Sequence, residues 1–142
     1  MTKARTLADF DTTSIPASVI TGLPAGSTSG TWTPAGNGIT FSAASGRWVK
    51  VGNMVTVWFN ITFPTTSSSS DARITGLPET VGDKNAWGTL GNQNNSGLSD
   101  AIVSADNGGT HINIRSLAGS EKTNANLTGM TIQGGVTYSI AT

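Results

Sequence analysis

The sequence predicts an all-β fold, an antiparallel β-sandwich or jelly-roll-like knob with an extended N-terminal arm. Short runs of β-branched and aromatic residues recur along the chain, separated by Gly, Pro, Asn and Ser. Every second residue from Val55 to Phe63 is apolar, which is typical of a strand with one buried face. Gly-Asn and Asn-Gly pairs lie between such runs, where tight turns join antiparallel strands. We therefore expect about eight to ten short strands.

The composition is that of one exposed β-rich domain. The 142 residues are enough for a single core, and nearly half of them are Thr, Ser, Asn or Gly. The formal net charge is zero, which argues against the basic footprint that nucleic acid requires. No run of about 18 apolar residues occurs, so membrane insertion is not expected. The N-terminus lacks a signal-peptide pattern, so Sec export is not expected either.

Residues 1–29 differ from the rest and are predicted to form an anchoring arm and linker. Residues 2–10 can form a short helical turn, which is marginal at this length and needs a partner surface. Apolar pairs spaced by prolines then favour an extended segment, and a flexible terminus is the alternative interpretation. Residues 30–142 are predicted to form the knob. The candidate anchoring residues are Ala4, Leu7, Phe10, Ile15, Val19, Ile20 and Leu23.

The first elements of the knob are two short strands at 31–34 and 39–42, on either side of a turn at 36–38. The longest hairpin follows at 46–63, with Gly52-Asn53 as its two-residue turn.

The register of this hairpin places Trp48 opposite Val57 on the buried face. The other face should be exposed to solvent, yet it carries several apolar side chains. A sheet that is apolar on both sides needs a second layer, and another subunit can supply it. The candidate trimer-interface residues on this face are Val49, Val51, Met54 and Trp58.

Two further strands are expected at 72–75 and 86–91, each followed by a turn or a polar loop. The next hairpin turns at Asn107-Gly108, which pairs Val103 with Ile112 and predicts an ion pair between Asp100 and Arg115.

The last hairpin is predicted to turn at Gly134-Gly135, joining strands 127–133 and 136–140. Two loops rich in hydroxyl and amide side chains are expected to be exposed. Their candidate surface residues are Ser67, Ser68, Ser69, Asn92, Asn94 and Asn95.

No arrangement of catalytic residues is recognisable, and we expect a non-enzymatic protein. His111 is the only histidine, which excludes a multi-histidine metal site; an ordinary surface position and a binding or pH-sensing role are its alternatives. The acidic residues are dispersed and no Gly-x-Ser-x-Gly elbow occurs. The chain has no cysteine, so neither disulfides nor thiolate metal sites are possible. No catalytic residue, metal or cofactor is assigned.

The four tryptophans are candidates for contact with another molecule. Trp48 is assigned to the core. Trp58 fits either a subunit interface or a ligand platform, because an exposed indole ring can stack on a sugar. Trp32 and Trp87 are left without an assignment.

Three segments together resemble the terminal β-domains of tailed-bacteriophage fibres. An aromatic strand and a Lys-hydrophobe-Gly-Asn turn lead into a valine-rich strand, and a Thr-Gly-Leu-Pro turn follows. The segments are Gly30 to Pro34, Ser45 to Val57 and Ile74 to Pro78. The resemblance covers residues 30–80 and concerns structural motifs, so it identifies a scaffold rather than a chemistry. It implies a homotrimeric knob on the outside of a virion.

The short arm favours, within this resemblance, a capsid-decorating protein of the head-fibre or cement type, because tail fibres usually carry a long attachment region and shaft. The arm is then expected to dock on phage capsid or tail proteins, and the protein to be made in the host cytoplasm and to reside on the virion surface. The alternative is a tail-fibre tip or receptor-binding adhesin that recognises a host surface glycan. A stand-alone carbohydrate-binding module ranks third and a hydrolase fourth.

Overall fold

The computed structural model describes residues 27–92, 98 and 100–140. The described residues are nearly all β, which confirms the predicted all-β antiparallel fold. A short 3₁₀ helix, Asn124–Leu127, precedes the last strand. The strands are β1 (Thr28–Trp32), β2 (Ala35–Gly36), β3 (Ala43–Val51), β4 (Met54–Thr62), β5 (Arg73–Thr75), β6 (Ala86–Asn92), β7 (Ala101–Ala105), β8 (His111–Ser116) and β9 (Thr131–Ser139).

All nine strands belong to one curled antiparallel sheet, in the order β1-β3-β4-β9-β6-β7-β8-β5-β2. The two edge strands, β1 and β2, are separated in the chain by Thr33 and Pro34 alone. Because so short a link spans at most about 10 Å, the two edges of the sheet must lie near each other. The sheet therefore curls around its core, which gives the predicted all-β antiparallel knob.

The concave face of the sheet encloses a single hydrophobic core. Strand β4 supplies alternate residues from Val55 to Ile61, as the period of two predicts. The rings of Phe41 and Phe63 meet edge to face, with their centroids 5.1 Å apart. Other fully buried side chains come from β5, β7, β8 and β9, and they include Ile74, Val103, Ile112, Ile114, Ile132 and Tyr138.

The β3–β4 hairpin has the predicted register. Trp48 lies opposite Val57, and Val51 lies opposite Met54 beside the turn. Gly52 has a φ of +59°, whereas Asn53 does not have a positive φ. A positive φ at the first turn residue alone is the pattern of a type II′ turn, which matches the twist of the two strands.

The β7–β8 hairpin differs from its predicted register by two residues. Val103 lies opposite Ile114 rather than Ile112. The loop is longer than two residues because Gly109 donates its N–H to Asp106 and Gly108 donates its N–H to Val81 in a neighbouring loop. A shift of two residues keeps each side chain on its face, so the core is unaffected.

The hairpin predicted at Gly134-Gly135 is wrong. Strand β9 runs straight through both glycines and pairs with β4 on one side and β6 on the other. A Cβ on Gly134 would lie 2.5 Å from the carbonyl oxygen of Thr89, and one on Gly135 would lie 2.8 Å from that of Val57. These glycines therefore allow close approach of backbones in mid-sheet, and a local turn signal cannot reveal that role.

The start of the knob also differs in detail. Strand β1 begins at Thr28, inside the predicted linker, and ends at Trp32. Strand β2 has only two residues, which pair with β5. The strand predicted at residues 39–42 is wrong, because these residues precede β3, which begins at Ala43.

Candidate functional site

The described residues include five large hydrophobic side chains that are exposed, and four of them share the outer face of the sheet. Val51, Met54, Trp58 and Trp87 lie on β3, β4 and β6, whereas Leu117 follows β8. On β4 and β6 the alternate residues point into the core, so these side chains point outward. Exposed apolar side chains concentrated on one face indicate an interaction surface.

Three of the four candidate trimer-interface residues form a patch at the tip of the β3–β4 hairpin. Val51 and Met54 lie opposite each other and are 51% and 44% exposed, and Val49 beside them is half-buried. We call Val49, Val51 and Met54 the tip patch. Its position is fixed by an ion pair of 2.8 Å between Lys50 Nζ and Glu79 Oε1.

Trp58, the fourth candidate, is separated from the tip patch. It lies four residues beyond Met54 on β4, about 13 Å along the strand. Thr56 lies between them on the same face, and its hydroxyl group shares a hydrogen bond of 2.8 Å with that of Thr137 on β9. A row of polar groups thus divides the exposed apolar residues into two surfaces.

The second surface is an open groove of about 830 Å³ on the outer face of β3, β4, β9 and β6. Trp58 and Trp87 line it from strands on opposite sides of β9, and they are 48% and 57% exposed. We call this the tryptophan groove. The backbone beneath Trp58 is fixed because Trp32 Nε1 donates a hydrogen bond of 3.2 Å to the Trp58 carbonyl.

The floor of the tryptophan groove is formed by glycines on the outer face. Gly135 lies opposite Trp58, and Gly91 lies on the neighbouring strand β6. A Cβ on Gly135 would be 3.2 Å from Trp58 Cδ1, so the indole ring leans over the bare backbone of β9. Around Gly91, the only atom of the described residues that a Cβ would meet is the Gln133 carbonyl oxygen at 3.8 Å. Side chains are therefore missing from the floor of the groove at these two positions.

The polar residues of the groove carry hydroxyl, amide and guanidinium groups. Arg47, Asn60 and Thr89 are exposed and belong to its lining. Arg47 is the only charged residue among the described residues that line the groove, and it lies opposite Trp58 on β3. Such a surface offers both hydrogen-bond donors and acceptors but little net charge.

A second polar cluster lies on the outer face of β7 and β8. Arg115 donates to Ser104 Oγ at 3.0 Å, to Asp106 Oδ2 at 2.8 Å and to Glu121 Oε1 at 3.1 Å. The predicted Asp100–Arg115 pair is wrong, because the two-residue register shift moves these residues apart. Asp100 instead accepts from Lys122 Nζ at 3.0 Å.

His111 is half-buried near this cluster. Burial, followed by the charge of Arg73, lowers the pKa of the imidazole, while Asp106 and Glu121 act in the opposite direction. The neutral imidazole is thus favoured over the charged form.

The remaining predicted surface residues divide between described and undescribed parts of the chain. Ser67 and Ser69 are exposed, whereas Ser68 is partly buried and its backbone carbonyl accepts from Ala125. Asn92 ends β6. The others lie outside the described residues, namely Asn94, Asn95, Ala4, Leu7, Phe10, Ile15, Val19, Ile20 and Leu23.

Sequence reasoning missed the contribution of Trp87 and of the glycine floor. The alternation of Ala86, Gly88 and Leu90 with Trp87 and Thr89 indicates which β6 residues point outward. The neighbour of β6 in the sheet is β9, however, and that pairing of distant strands leaves no local sequence signal.

Within residues 27–92, 98 and 100–140, no group of three or more His, Cys, Asp or Glu side chains is placed to hold a metal ion. No helix in this part of the chain is long and apolar enough to cross a membrane. Comparisons of the chain with protein-family models, curated proteins and solved structures gave no match.

Proposed function

We propose that this chain is a non-enzymatic structural protein on the exterior of a tailed-bacteriophage virion. In this proposal three copies associate through the tip patch, and residues 1–29 dock the trimer on the capsid as a decoration or head-fibre protein. The resemblance of residues 30–80 to fibre-type terminal β-domains supports the virion assignment. The exposed tip patch supports the self-association.

The observation that carries the proposal is the exposed pair of Val51 and Met54. Shielding a half-exposed side chain of this size contributes about 1 kcal/mol, and each trimer would shield three such pairs. Association would cost little conformational entropy, because Met54 already pairs with Ser139 and Ile140 donates its N–H to the Asn53 carbonyl at the hairpin tip.

The oligomeric state of the full chain tests the self-association. Light scattering after size exclusion is expected to give three times the chain mass for the wild type. Val51→Thr combined with Met54→Gln keeps the side-chain volumes nearly constant, and it is expected to shift the protein toward monomer. Leu117→Gln is the matched control, since Leu117 is exposed but lies away from the tip patch. A wild-type monomer would contradict the proposal.

The position on the virion is tested separately. Gold-labelled full-length protein is expected to attach to capsid shells at three-fold or quasi-three-fold positions, and deletion of residues 2–23 is expected to abolish attachment while leaving a folded trimer. Labelling confined to the tail would support the second candidate instead.

The second candidate is a receptor-binding adhesin at a tail-fibre tip that recognises a host surface glycan. The tryptophan groove favours it, because two exposed indole rings over a glycine floor form a concave surface suited to a ligand. Antibodies against the knob are expected to block adsorption to host cells if the adhesin assignment holds, and not to block it for a capsid decoration.

A further inference from the structure

We infer that the tryptophan groove is a saccharide-binding site that holds a short stretch of a glycan chain between Trp58 and Trp87. The inference deepens the adhesin candidate and rests on it for the biological role. The site itself requires only the outer face of β3, β4, β9 and β6, whatever the position of the protein on a virion.

The two indole rings provide the apolar part of the site. About half of each side chain is already packed against the protein, and the other half is exposed. Trp58 leans over Gly135, so part of its ring lies against the backbone of β9. A pyranose ring has an apolar C–H face of similar width, and stacking on an aromatic ring that is already partly packed costs little conformational entropy.

The glycine floor provides the depth. Gly135 lies opposite Trp58 on the strand between the two tryptophans, and Gly91 lies two residues beyond Thr89 on β6, on the side away from Trp87. Both glycines face outward and line the groove, where other residues would place side chains into it. Among the described residues, the nearest atom to a Cβ on Gly91 would be at 3.8 Å, which leaves space for a side chain. The groove volume of about 830 Å³ lies in the range of roughly 300–1,000 Å³ found for small-ligand sites.

The polar lining suits a saccharide better than a phosphate polymer. Asn60 and Thr89 can donate and accept hydrogen bonds, as ring hydroxyl groups require. Arg47 adds one positive charge, which can pair with the carboxylate of an acidic sugar. A single cation is too little for a polyphosphate chain, which is held by several basic groups.

A second copy of this chain is the other occupant to consider. Thr56 and Thr137, whose hydroxyl groups share a hydrogen bond, line the edge of the groove that is nearest the tip patch. The tip patch and the groove therefore adjoin without sharing a residue, and the oligomeric mass of the groove variants distinguishes a second copy from a saccharide.

Direct binding by the full-length protein is the test. The probes are a printed array of bacterial surface polysaccharides together with cellohexaose, chitohexaose, maltohexaose and a polyuronate. Any saccharide that binds is titrated while tryptophan fluorescence is recorded. Saturable binding with a change in fluorescence is expected, and failure of every probe to bind would overturn the inference.

Two variants assign the binding to the groove. Trp87→Ser removes one indole ring and is expected to weaken binding about tenfold. Gly91→Val leaves both tryptophans in place and fills the floor with a residue that suits a strand, and it is expected to abolish binding. Leu117→Ser is the control, with unchanged affinity. Wild-type affinity in both groove variants would overturn the inference.

The oligomeric mass of the same samples separates this inference from the trimer proposal. Gly91→Val is expected to keep the wild-type mass while losing the saccharide. A monomeric wild type that still binds saccharide would support the site and contradict the trimer. A lower oligomeric mass for Trp87→Ser and Gly91→Val than for the wild type would mean that a second copy fills the groove. That result would overturn the inference.

Discussion

Trp32 and Gly46 lie directly opposite each other on β1 and β3, with the indole ring over the bare backbone of the glycine. The same arrangement recurs two pairs further along these strands, where Trp48 covers Gly30, and again where Trp58 leans over Gly135. Large aromatic rings facing glycine across strands shield backbone that would otherwise be exposed. Three of the four tryptophans therefore share one structural role with a glycine partner.

The Trp32–Gly46 pair predicts a strong effect of a single methyl group. Gly46→Ala places a Cβ against the Trp32 indole and forces that buried ring to move away from the Trp58 carbonyl it binds. We expect a loss of about 2 kcal/mol in the free energy of unfolding, measured by urea titration. Gly91→Ala is the matched control, because its Cβ would make only ordinary contacts, and it is expected to change stability by less than about 0.5 kcal/mol.

The polar cluster around Arg115 predicts different effects for two ion pairs. Arg115→Met leaves Asp106, Glu121 and Ser104 without their shared donor, and we expect a loss of about 2 kcal/mol in urea unfolding. Asp100→Asn removes the charge of a carboxylate that is 54% exposed, and it is expected to cost less than about 0.5 kcal/mol. Equal effects of the two substitutions would contradict the cluster as described.

Tyr138 predicts a loss of stability in alkali. Burial raises the pKa of its phenol to about 12, and the neutral phenol donates a hydrogen bond of 3.0 Å to the Glu79 carbonyl. Above pH 10 the unfolded phenol ionises while the folded one does not, so the unfolded state binds fewer protons and stability falls as the pH rises.

The effect of Tyr138 can be isolated because the chain has only one tyrosine. The tyrosinate absorbance of the folded protein is expected to titrate near pH 12, about two units above that of the unfolded chain. Between pH 9 and 11 the wild type is expected to lose about 1 kcal/mol more than Tyr138→Phe. Parallel pH profiles for the two proteins would be the contrary outcome.

The lowered pKa of His111 predicts that stability changes with pH in the opposite direction near neutral pH. Its pKa is lowered by burial and then by Arg73, so below the usual imidazole pKa of 6.5 the unfolded state binds more protons than the folded state. Stability is therefore expected to rise with pH across this region, and His111→Gln is expected to flatten the rise. The NMR titration of the only histidine gives the direct check, and a pKa above 6.5 would refute the described environment.

The β3–β4 hairpin could be predicted in full because a two-residue Gly-Asn turn fixes its register locally. The β7–β8 register could not, since contacts of Gly108 with the distant residue Val81 extend that loop. The mid-strand position of Gly134 and Gly135 could not be predicted for a related reason. Their role depends on two neighbouring strands, β4 and β6, that are remote in the chain.

The outer-face candidates could also be predicted only in part, because strands that are remote in the chain bring them together. Trp58 stood out in the sequence because an apolar residue occupied an outward position. Its partner Trp87 is on β6, and the two meet only because β9 brings β4 and β6 to its two sides. The arm predictions lie outside the described residues.

Strand β9 is the last of the nine in chain order, yet it occupies an interior place in the sheet between β4 and β6. Without it the sheet separates into one group of three strands and another of five, each with an unpaired edge. We therefore expect a nascent or truncated chain that lacks β9 to expose the unpaired edges of β4 and β6 and to aggregate. The sheet can close only after β9 has been synthesised and has paired with both strands.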